Sequence, residues 1–190
     1  MKRREALEII DEVFRDRPLV MTCGAPAREL ASIAKRDSHL YLLDSMGLAA
    51  AVGVGLALAG RGPLAAVEGD GSLLMGFSVL PTIHALAPPG FTLVVLDNHE
   101  HASADRMATH AAVVSLGSAC RGIGLPTKEV DDRSGLRSAL EDARTASGPT
   151  VVVARIEGGN DPDVPLLLED PVTIGDRFRG FLSTQEGVEG

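Results

Sequence analysis

Residues 63–98 read PLAAVEGDGSLLMGFSVLPTIHALAPPGFTLVVLDN, and this stretch decides the fold. It predicts a strand over 63–68, a helix around 77–86 and a second strand over 91–97. Both strands are apolar throughout instead of alternating between apolar and polar residues. Such strands are typical of a parallel sheet that is covered by helices on both faces. The stretch therefore predicts one strand–helix–strand unit of an α/β domain.

The same alternation of strands and helices continues on both sides of this unit. Further strands are predicted over 19–23, 41–43, 127–130 and 150–156, and further helices over 4–14, 26–34, 47–60, 111–121 and 134–146. We therefore predict a doubly wound, mainly parallel α/β sheet with helices on both faces, formed by residues 1–157. Residues 158–190 read as a C-terminal extension, an irregular link that leads to one terminal helix.

Composition excludes several classes of protein. The 190 residues are 45% hydrophobic, enough for one core, and the net charge is −8 without an extended basic run, so neither nucleic acid nor an anionic membrane surface is an expected partner. Two cysteines do not support a disulfide framework or a cysteine-rich zinc site. The longest apolar stretch, 47–60, is too short and too rich in glycine to cross a membrane. We expect a cytoplasmic protein.

Polar clusters follow the two central strands directly. One is the GDGS run at 69–72 and the other is the DNHEH run at 97–101. Ligands of open α/β sheets bind outside the carboxyl ends of the strands, so these clusters are expected to share a site. Asp70 offers a carboxylate oxygen and Asn98 an amide oxygen, which together with phosphate oxygens are ligands that Mg²⁺ prefers. The pattern indicates Mg²⁺ bound to a diphosphate.

These residues also carry a family resemblance. The GDG at 69–71 is followed, after 25 intervening residues, by Asp97 and Asn98, which resembles the GDG-to-NN motif of thiamine diphosphate-dependent enzymes, with Asp97 in place of the first Asn. Ser45-Met46-Gly47 resembles the SMG element of these enzymes, and PLVMTCGAPAREL at 18–30 resembles the start of their diphosphate-binding domain. Within the family, the sequence is similar to the beta subunit of sulfopyruvate decarboxylase and to phosphonopyruvate decarboxylase.

The resemblance implies a set of ligands for Mg²⁺ and for the cofactor, thiamine diphosphate. The metal would be held by the side chains of Asp70 and Asn98 and by the backbone carbonyl of Glu100. The remaining implied contacts are to the cofactor itself: Gly69, Gly71, Ser72 and the Gly24-Ala25 turn at the diphosphate, backbone groups of Ser45 at the aminopyrimidine, and Met46 as the apolar wedge beneath the two rings.

His101 is a candidate for a catalytic proton transfer, because relatives often place a Tyr or His there facing the substrate. A loop or interface position for His101 is the alternative. The spacing of His99 and His101 does not match a zinc-binding HExxH pattern. The loop at 103–109, SADRMAT, departs from the Ser-Thr-Gly-Gly-Gln run of sulfopyruvate and phosphonopyruvate decarboxylases. The substrate, a small 2-oxo acid, and the choice between decarboxylation and carboligation therefore stay open.

The resemblance also implies a partner. In this family, the glutamate that activates the cofactor lies on a separate, pyrimidine-binding domain, and we expect only one α/β domain here. We therefore expect a hetero-oligomer in which an alpha-type subunit supplies that glutamate, with the interface at the loop after Asn98 and around Ser45. The alternative is a non-catalytic subunit that acts as a structural or regulatory partner of a larger enzyme.

Overall fold

The structure, a computed structural model, describes residues 1–102 and 104–185 and is built around one six-stranded sheet. The strands are β1 Leu19–Met21, β2 His39–Tyr41, β3 Leu64–Gly69, β4 Phe91–Asp97, β7 Thr127–Val130 and β8 Thr150–Arg155, with β5 Glu100–His101 and β6 Met107–Ala108 forming a separate hairpin. The helices are α1 Arg3–Val13, α2 Ala25–Ile33, α3 Ala49–Leu58, α4 Asp70–Met75, α5 Val79–Leu86, α6 Leu116–Ile123, α7 Arg133–Thr145 and α8 Pro171–Gln185.

The sheet order is β2-β1-β3-β4-β8-β7, and every neighbouring pair is parallel. The chain adds β2 on one side of β1 and then returns to place β3 on the other side. This reversal opens a crevice at the carboxyl ends of β1 and β3, where open α/β sheets bind ligands. The predicted doubly wound α/β fold is confirmed.

Helices cover both faces of the sheet. Helices α1, α2, α7 and α8 pack on one face, where Val67 and Val94 point, and α3, α4, α5 and α6 pack on the other, where Ala66 and Val95 point. Adjacent residues of a strand point to opposite faces, so a strand that is apolar throughout has both faces buried. This accounts for the uninterrupted burial of β4.

Some predicted element boundaries are wrong. The strand predicted over 41–43 is β2, His39–Tyr41, and it begins at a fully buried histidine that the apolar pattern does not signal. The helix predicted around 77–86 is preceded by a separate short helix, α4, which begins at Asp70 directly after β3. An aspartate in the first turn favours a helix N-terminus, which a glycine-rich turn obscures. The loop predicted after Asn98 contains the hairpin of β5 and β6.

The chain returns to the sheet after β8. Residues 157–160 pass the N-terminus of α1: the backbone N–H of Glu157 donates to the carbonyl of Met1, and the Arg3 side chain donates to Asn160. Helix α8 then packs beside β2 through the buried Ile174 and Phe178. None of the helices in the described residues has both the length and the apolar character required to span a membrane.

Candidate functional site

A cavity of about 90 Å³ lies at the carboxyl ends of β1, β3 and β4. All the site residues predicted from the sequence line it except Ser45: Gly24, Ala25, Met46, Gly69, Asp70, Gly71, Ser72, Asn98, Glu100 and His101. The sheet brings them together because the three strands that precede them are adjacent and parallel. Residues of both polar clusters therefore line one cavity, as expected.

Asp70 begins helix α4 and is almost completely buried, with 2% of its surface exposed. Its Oδ2 accepts a hydrogen bond from the hydroxyl of Thr109 at 2.5 Å. The backbone N–H of Thr109 donates to the carbonyl of His99 at 2.9 Å, so the hairpin loop is closed onto Asp70. Among the described residues, no hydrogen bond reaches Oδ1 of Asp70, which leaves one carboxylate oxygen for a ligand.

Asn98 and Glu100 present different groups to the cavity. The side-chain oxygen of Asn98 accepts from the backbone N–H of Glu100 at 3.2 Å, which leaves this oxygen a second lone pair. The carboxylate of Glu100 accepts from Arg106 Nε at 3.0 Å and from the backbone N–H of Gly159. Its carboxylate is therefore held by two donors of the chain, whereas the group that the family resemblance assigns to the metal is the backbone carbonyl of Glu100.

Asp97 stands where the family motif has Asn. Its Oδ1 is buried and has no hydrogen-bond partner among the described residues, and Oδ2 lies 3.4 Å from Arg155 Nη1. Burial raises the pKa of Asp97 by penalising its charged form; the guanidinium of Arg155 and the neighbouring His99 oppose that shift, and nearby Asp70 adds to it. The substitution therefore adds a second carboxyl group close to Asp70.

The imidazole of His101 packs directly on Gly71. A Cβ atom placed on Gly71 would lie 2.7 Å from Nδ1 and 3.0 Å from Nε2 of His101, closer than side chains can approach. Gly71 therefore lets the imidazole reach the cavity. The pairing of His101 with Met107 across the β5–β6 hairpin fixes the backbone that carries it.

Ser72 is part of a buried network that the sequence did not reveal. Its hydroxyl donates to Glu68 Oε2 at 2.5 Å and accepts from the backbone N–H of Gly47 at 2.8 Å, and Thr22 Oγ1 lies 2.8 Å away. Glu68 Oε1 also accepts from Ala50 N at 3.1 Å. Burial raises the pKa of Glu68, against the effect of these hydrogen bonds. Ser72 lines the cavity, and its hydroxyl joins the ends of β1 and β3 to the loop before α3.

Gly47 places Met46 at the mouth of the cavity. Gly47 has φ +78°, and a Cβ atom on it would lie 2.5 Å from the backbone nitrogen of Gly76, so the loop before α3 packs on the end of α4 through bare backbone. Met46 lines the cavity and is 38% exposed. Ser45, the residue before Met46, does not line the cavity. Its hydroxyl donates to the carbonyl of Leu43, and its backbone N–H faces the thiol of Cys23. Burial raises the pKa of that thiol.

Arg3, Glu68 and Thr109 are site residues that the sequence analysis missed. Arg3 lines the cavity and is 6% exposed. Two of the three carried a signal: Glu68 is a charged residue at the end of an apolar strand, and Arg3 is a cation on the buried face of α1. No local pattern marks Thr109, which lies 39 residues from Asp70 in the chain.

The donors in the cavity fit Mg²⁺ and a diphosphate. Within residues 1–102 and 104–185, no three His, Cys, Asp or Glu side chains are grouped to hold a metal by themselves. A site with one carboxylate and one amide oxygen suits Mg²⁺, which usually completes its coordination with phosphate and water. A Cβ atom on Gly24 or Gly69 would meet no atom within 4 Å, so the absent side chains leave open space beside Asp70.

A family model, that of the thiamine pyrophosphate enzyme C-terminal TPP binding domain, matches residues 25–154. The chain belongs to this family. Thiamine pyrophosphate is another name for thiamine diphosphate, so the resemblance inferred from the GDG and Asp97-Asn98 pattern is confirmed. The matched residues include the carboxyl ends of β3 and β4, two of the three strands that border the cavity.

Curated relatives show which members of the family this chain is similar to. The sulfopyruvate decarboxylase subunit beta of Methanococcus maripaludis is 34% identical over 178 residues, covering 94% of this chain and 96% of the relative. The phosphonopyruvate decarboxylase of Streptomyces viridochromogenes is 36% identical over 187 residues, covering 96% of this chain but 46% of the relative. The solved benzoylformate decarboxylase of Polynucleobacter necessarius has a TM-score of 0.72, with 20% identity, over 84% of this chain and 34% of that one. This last likeness supports the fold alone.

Proposed function

We propose that this chain is the diphosphate-binding, beta-type subunit of a thiamine diphosphate- and Mg²⁺-dependent 2-oxo acid decarboxylase. The observation that carries the proposal is the convergence of Asp70, Asn98 and the glycine-rich turn at 69–71 on one cavity. The likeness to sulfopyruvate decarboxylase beta subunits along nearly the full length of both chains supports the same conclusion.

In the proposed site, Mg²⁺ is held by the free oxygen of Asp70, the side-chain oxygen of Asn98 and the backbone carbonyl of Glu100. The turns at 24–25 and 69–71 receive the diphosphate, because their missing side chains let backbone N–H groups approach an anion. Helix α2 begins at Ala25 and adds its positive N-terminal dipole at the same place.

Thiamine diphosphate, when bound, supplies the electron sink that allows a 2-oxo acid to lose CO₂. The residues of this chain bind, orient and exclude water around it. Met46 supports the rings from the mouth of the cavity. His101 holds or delivers a proton at the reacting carbon, for which its imidazole beside Gly71 is suitably placed.

An alpha-type, pyrimidine-binding subunit completes the site. Cavities that hold a whole cofactor or drug-sized ligand measure roughly 300–1,000 Å³. The 90 Å³ found here accommodates only part of such a ligand. Glu100 is the one glutamate among the described residues that line the cavity, and its carboxylate is held by Arg106 and Gly159. The activating glutamate therefore comes from the partner.

Exposed apolar side chains around the cavity mouth favour the same partner. Met46 and Leu48 flank Gly47, which packs on Gly76 next to Met75. Helix α4 in turn contacts the 3-10 turn His110–Ala112, which leads to Val113, a residue that is 83% exposed. Several exposed apolar side chains near one site favour a surface that another protein covers. We propose that the alpha-type subunit covers this rim.

The proposed substrate is a small 2-oxo acid with a second anionic group, because the relatives are named for sulfopyruvate and phosphonopyruvate. The loop at 104–109 leaves an apolar 2-oxo acid and a carboligation as alternatives. Its Arg106 is paired with Glu100 and is 66% exposed. A non-catalytic role as a regulatory subunit is the second candidate function. The free oxygen of Asp70 argues against this role, because it leaves a ligand in place for Mg²⁺.

Capture of the tagged chain from its native cell extract, with Mg²⁺ and thiamine diphosphate present, tests the proposal. We expect a stoichiometric partner that carries a pyrimidine-binding domain, and Mg²⁺-dependent binding of thiamine diphosphate by the captured complex. Asp70→Ala should abolish that binding while the partner is still captured. If Asp70→Ala leaves cofactor binding unchanged, the proposed site is wrong and the non-catalytic role is favoured.

A further inference from the structure

Arg3 is the one lysine or arginine among the described residues that line the cavity. It sits at the start of α1 on the helix face that is buried, together with Leu7 and Ile10. Only 6% of its surface is exposed. A buried arginine needs partners for its charge and for its N–H groups, so the contacts of its guanidinium indicate what it binds.

Three of the five guanidinium donors are used within the chain. Nε donates to Glu29 Oε2 at 2.9 Å, and Nη2 donates to Glu29 Oε1 at 2.8 Å and to Asn160 Oδ1 at 3.0 Å. Two N–H groups remain on Nη1, and no acceptor for them is found among the described residues. The two-point contact with Glu29 also fixes the plane of the guanidinium, so the free edge has a defined direction.

The surroundings of Arg3 are suited to an anion. Glu29 lies on α2, and the N-terminus of this nine-residue helix, at Gly24 and Ala25, lines the same cavity. Lys2 and Arg4 flank Arg3 but border a neighbouring surface hollow together with Glu29, Glu157 and Asp161, so among the described lysines and arginines Arg3 alone brings a positive charge to the cavity. The cavity also contains the buried carboxylate of Asp70, whose charge would repel an unneutralised phosphate.

We propose that Arg3 binds a phosphate oxygen of the cofactor through its two free Nη1 donors, with Glu29 and Asn160 as positioning residues. The inference rests on the proposed function, since it requires that the cavity receives a diphosphate. It adds a cation from the N-terminal helix to a site otherwise built from backbone N–H groups and Mg²⁺. A substrate anion is the other source of the same chemistry, and the experiment separates the two.

The test is titration of the full chain with inorganic pyrophosphate in the presence of Mg²⁺, followed by calorimetry. Removing Arg3 alone would leave Glu29 buried and unpaired, so the variant is the double change Arg3→Gln with Glu29→Gln, in which two amides can still hydrogen-bond. Arg4→Gln with Glu8→Gln is the matched control, because it removes the neighbouring Arg4–Glu8 ion pair, whose side chains are exposed, and leaves the net charge unchanged in the same way. Thermal unfolding establishes that each variant is folded.

We expect the Arg3→Gln, Glu29→Gln variant to bind Mg²⁺–pyrophosphate at least about tenfold more weakly than wild type, and the Arg4→Gln, Glu8→Gln control to stay within about twofold. The captured complex should show the same loss for thiamine diphosphate and a smaller loss for thiamine monophosphate. Equal affinities for wild type and the Arg3→Gln, Glu29→Gln variant would overturn the inference while leaving the proposed function intact. A raised KM for the 2-oxo acid with unchanged pyrophosphate affinity would also overturn it and place the substrate anion at Arg3. No binding of pyrophosphate by the wild-type chain and none of thiamine diphosphate by the captured wild-type complex would overturn both.

Discussion

Replacement of Glu68 by glutamine tests whether a buried, proton-holding carboxyl group joins the loops of the site. Glu68 has no exposed surface and accepts hydrogen bonds from Ser72 and from the first turn of α3. Burial raises the pKa of Glu68 above its ordinary value of 4.5, because the charged form is penalised away from water. The folded protein therefore keeps this proton at pH values at which the unfolded chain has lost it.

The pH dependence of stability follows from that difference. Between pH 4.5 and the raised pKa of Glu68, the folded state binds more protons than the unfolded state, so the free energy of unfolding falls as the pH rises. The slope contributed by one such group is at most about 1.4 kcal/mol per pH unit. Glutamine has the same shape and does not titrate. The stability of wild type minus that of Glu68→Gln should therefore decrease as the pH rises through this window.

Urea unfolding of both proteins from pH 4.5 to about pH 8 measures this difference. Glu141→Gln, a change on the exposed surface of α7, is the control, and its difference from wild type should stay flat. Glu68→Ala should cost roughly 2–4 kcal/mol near pH 4.5, because the Ser72 hydroxyl and the Ala50 N–H lose their acceptor, and this cost should also decrease as the pH rises, because alanine does not titrate. A wild-type minus Glu68→Gln difference that is constant or rises with pH would refute the reasoning.

Two further changes test separate parts of the structure. Gly71→Ala places a Cβ atom 2.7 Å from Nδ1 of His101, so the imidazole must move; we expect loss of most turnover in the captured complex with little change in Tm, and wild-type turnover would contradict this placement. Burial tends to raise the pKa of Asp11, but hydrogen bonds from Arg36 and His39 outweigh burial and hold this pKa well below 3.8. Asp11→Asn should therefore lower the free energy of unfolding by about 2 kcal/mol at neutral pH. That lowered pKa supplies stability above pH 3.8 that is lost as the pH falls further, so the difference from wild type should shrink in acid; a difference that persists there would contradict the assignment.

Continuous apolar strands and local motifs could be predicted from the sequence because their signal lies within a few residues. The boundaries predicted for β4 and β7 match the structure, and the GDG turn and Asn98 were placed together by the rule that parallel strands end at one edge. Helix α4 was missed because its first residues are the glycines and aspartate of that turn, which read as a break in the helix.

The contacts between distant parts of the chain could not be predicted. Thr109 closes on Asp70 only because the hairpin returns to the end of β3, and nothing near Thr109 in the sequence indicates this. Likewise, nothing near Ser72 in the sequence indicates that its hydroxyl bonds to Glu68 and Gly47. Which acceptor a hydroxyl uses depends on how close the packed strands approach, and that distance is a property of the fold.

The central claim is that Asp70 serves a Mg²⁺- and thiamine diphosphate-dependent decarboxylation carried out together with an alpha-type subunit. The most direct measurement is CO₂ release from sulfopyruvate, phosphonopyruvate and an apolar 2-oxo acid by the captured complex, compared between wild type and Asp70→Asn. The account predicts that at least one of these acids releases CO₂, and that the release requires Mg²⁺, thiamine diphosphate and the partner. Asp70→Asn should abolish this release while the complex stays assembled. Full activity of the Asp70→Asn complex, or of the wild-type chain without its partner, would contradict the account.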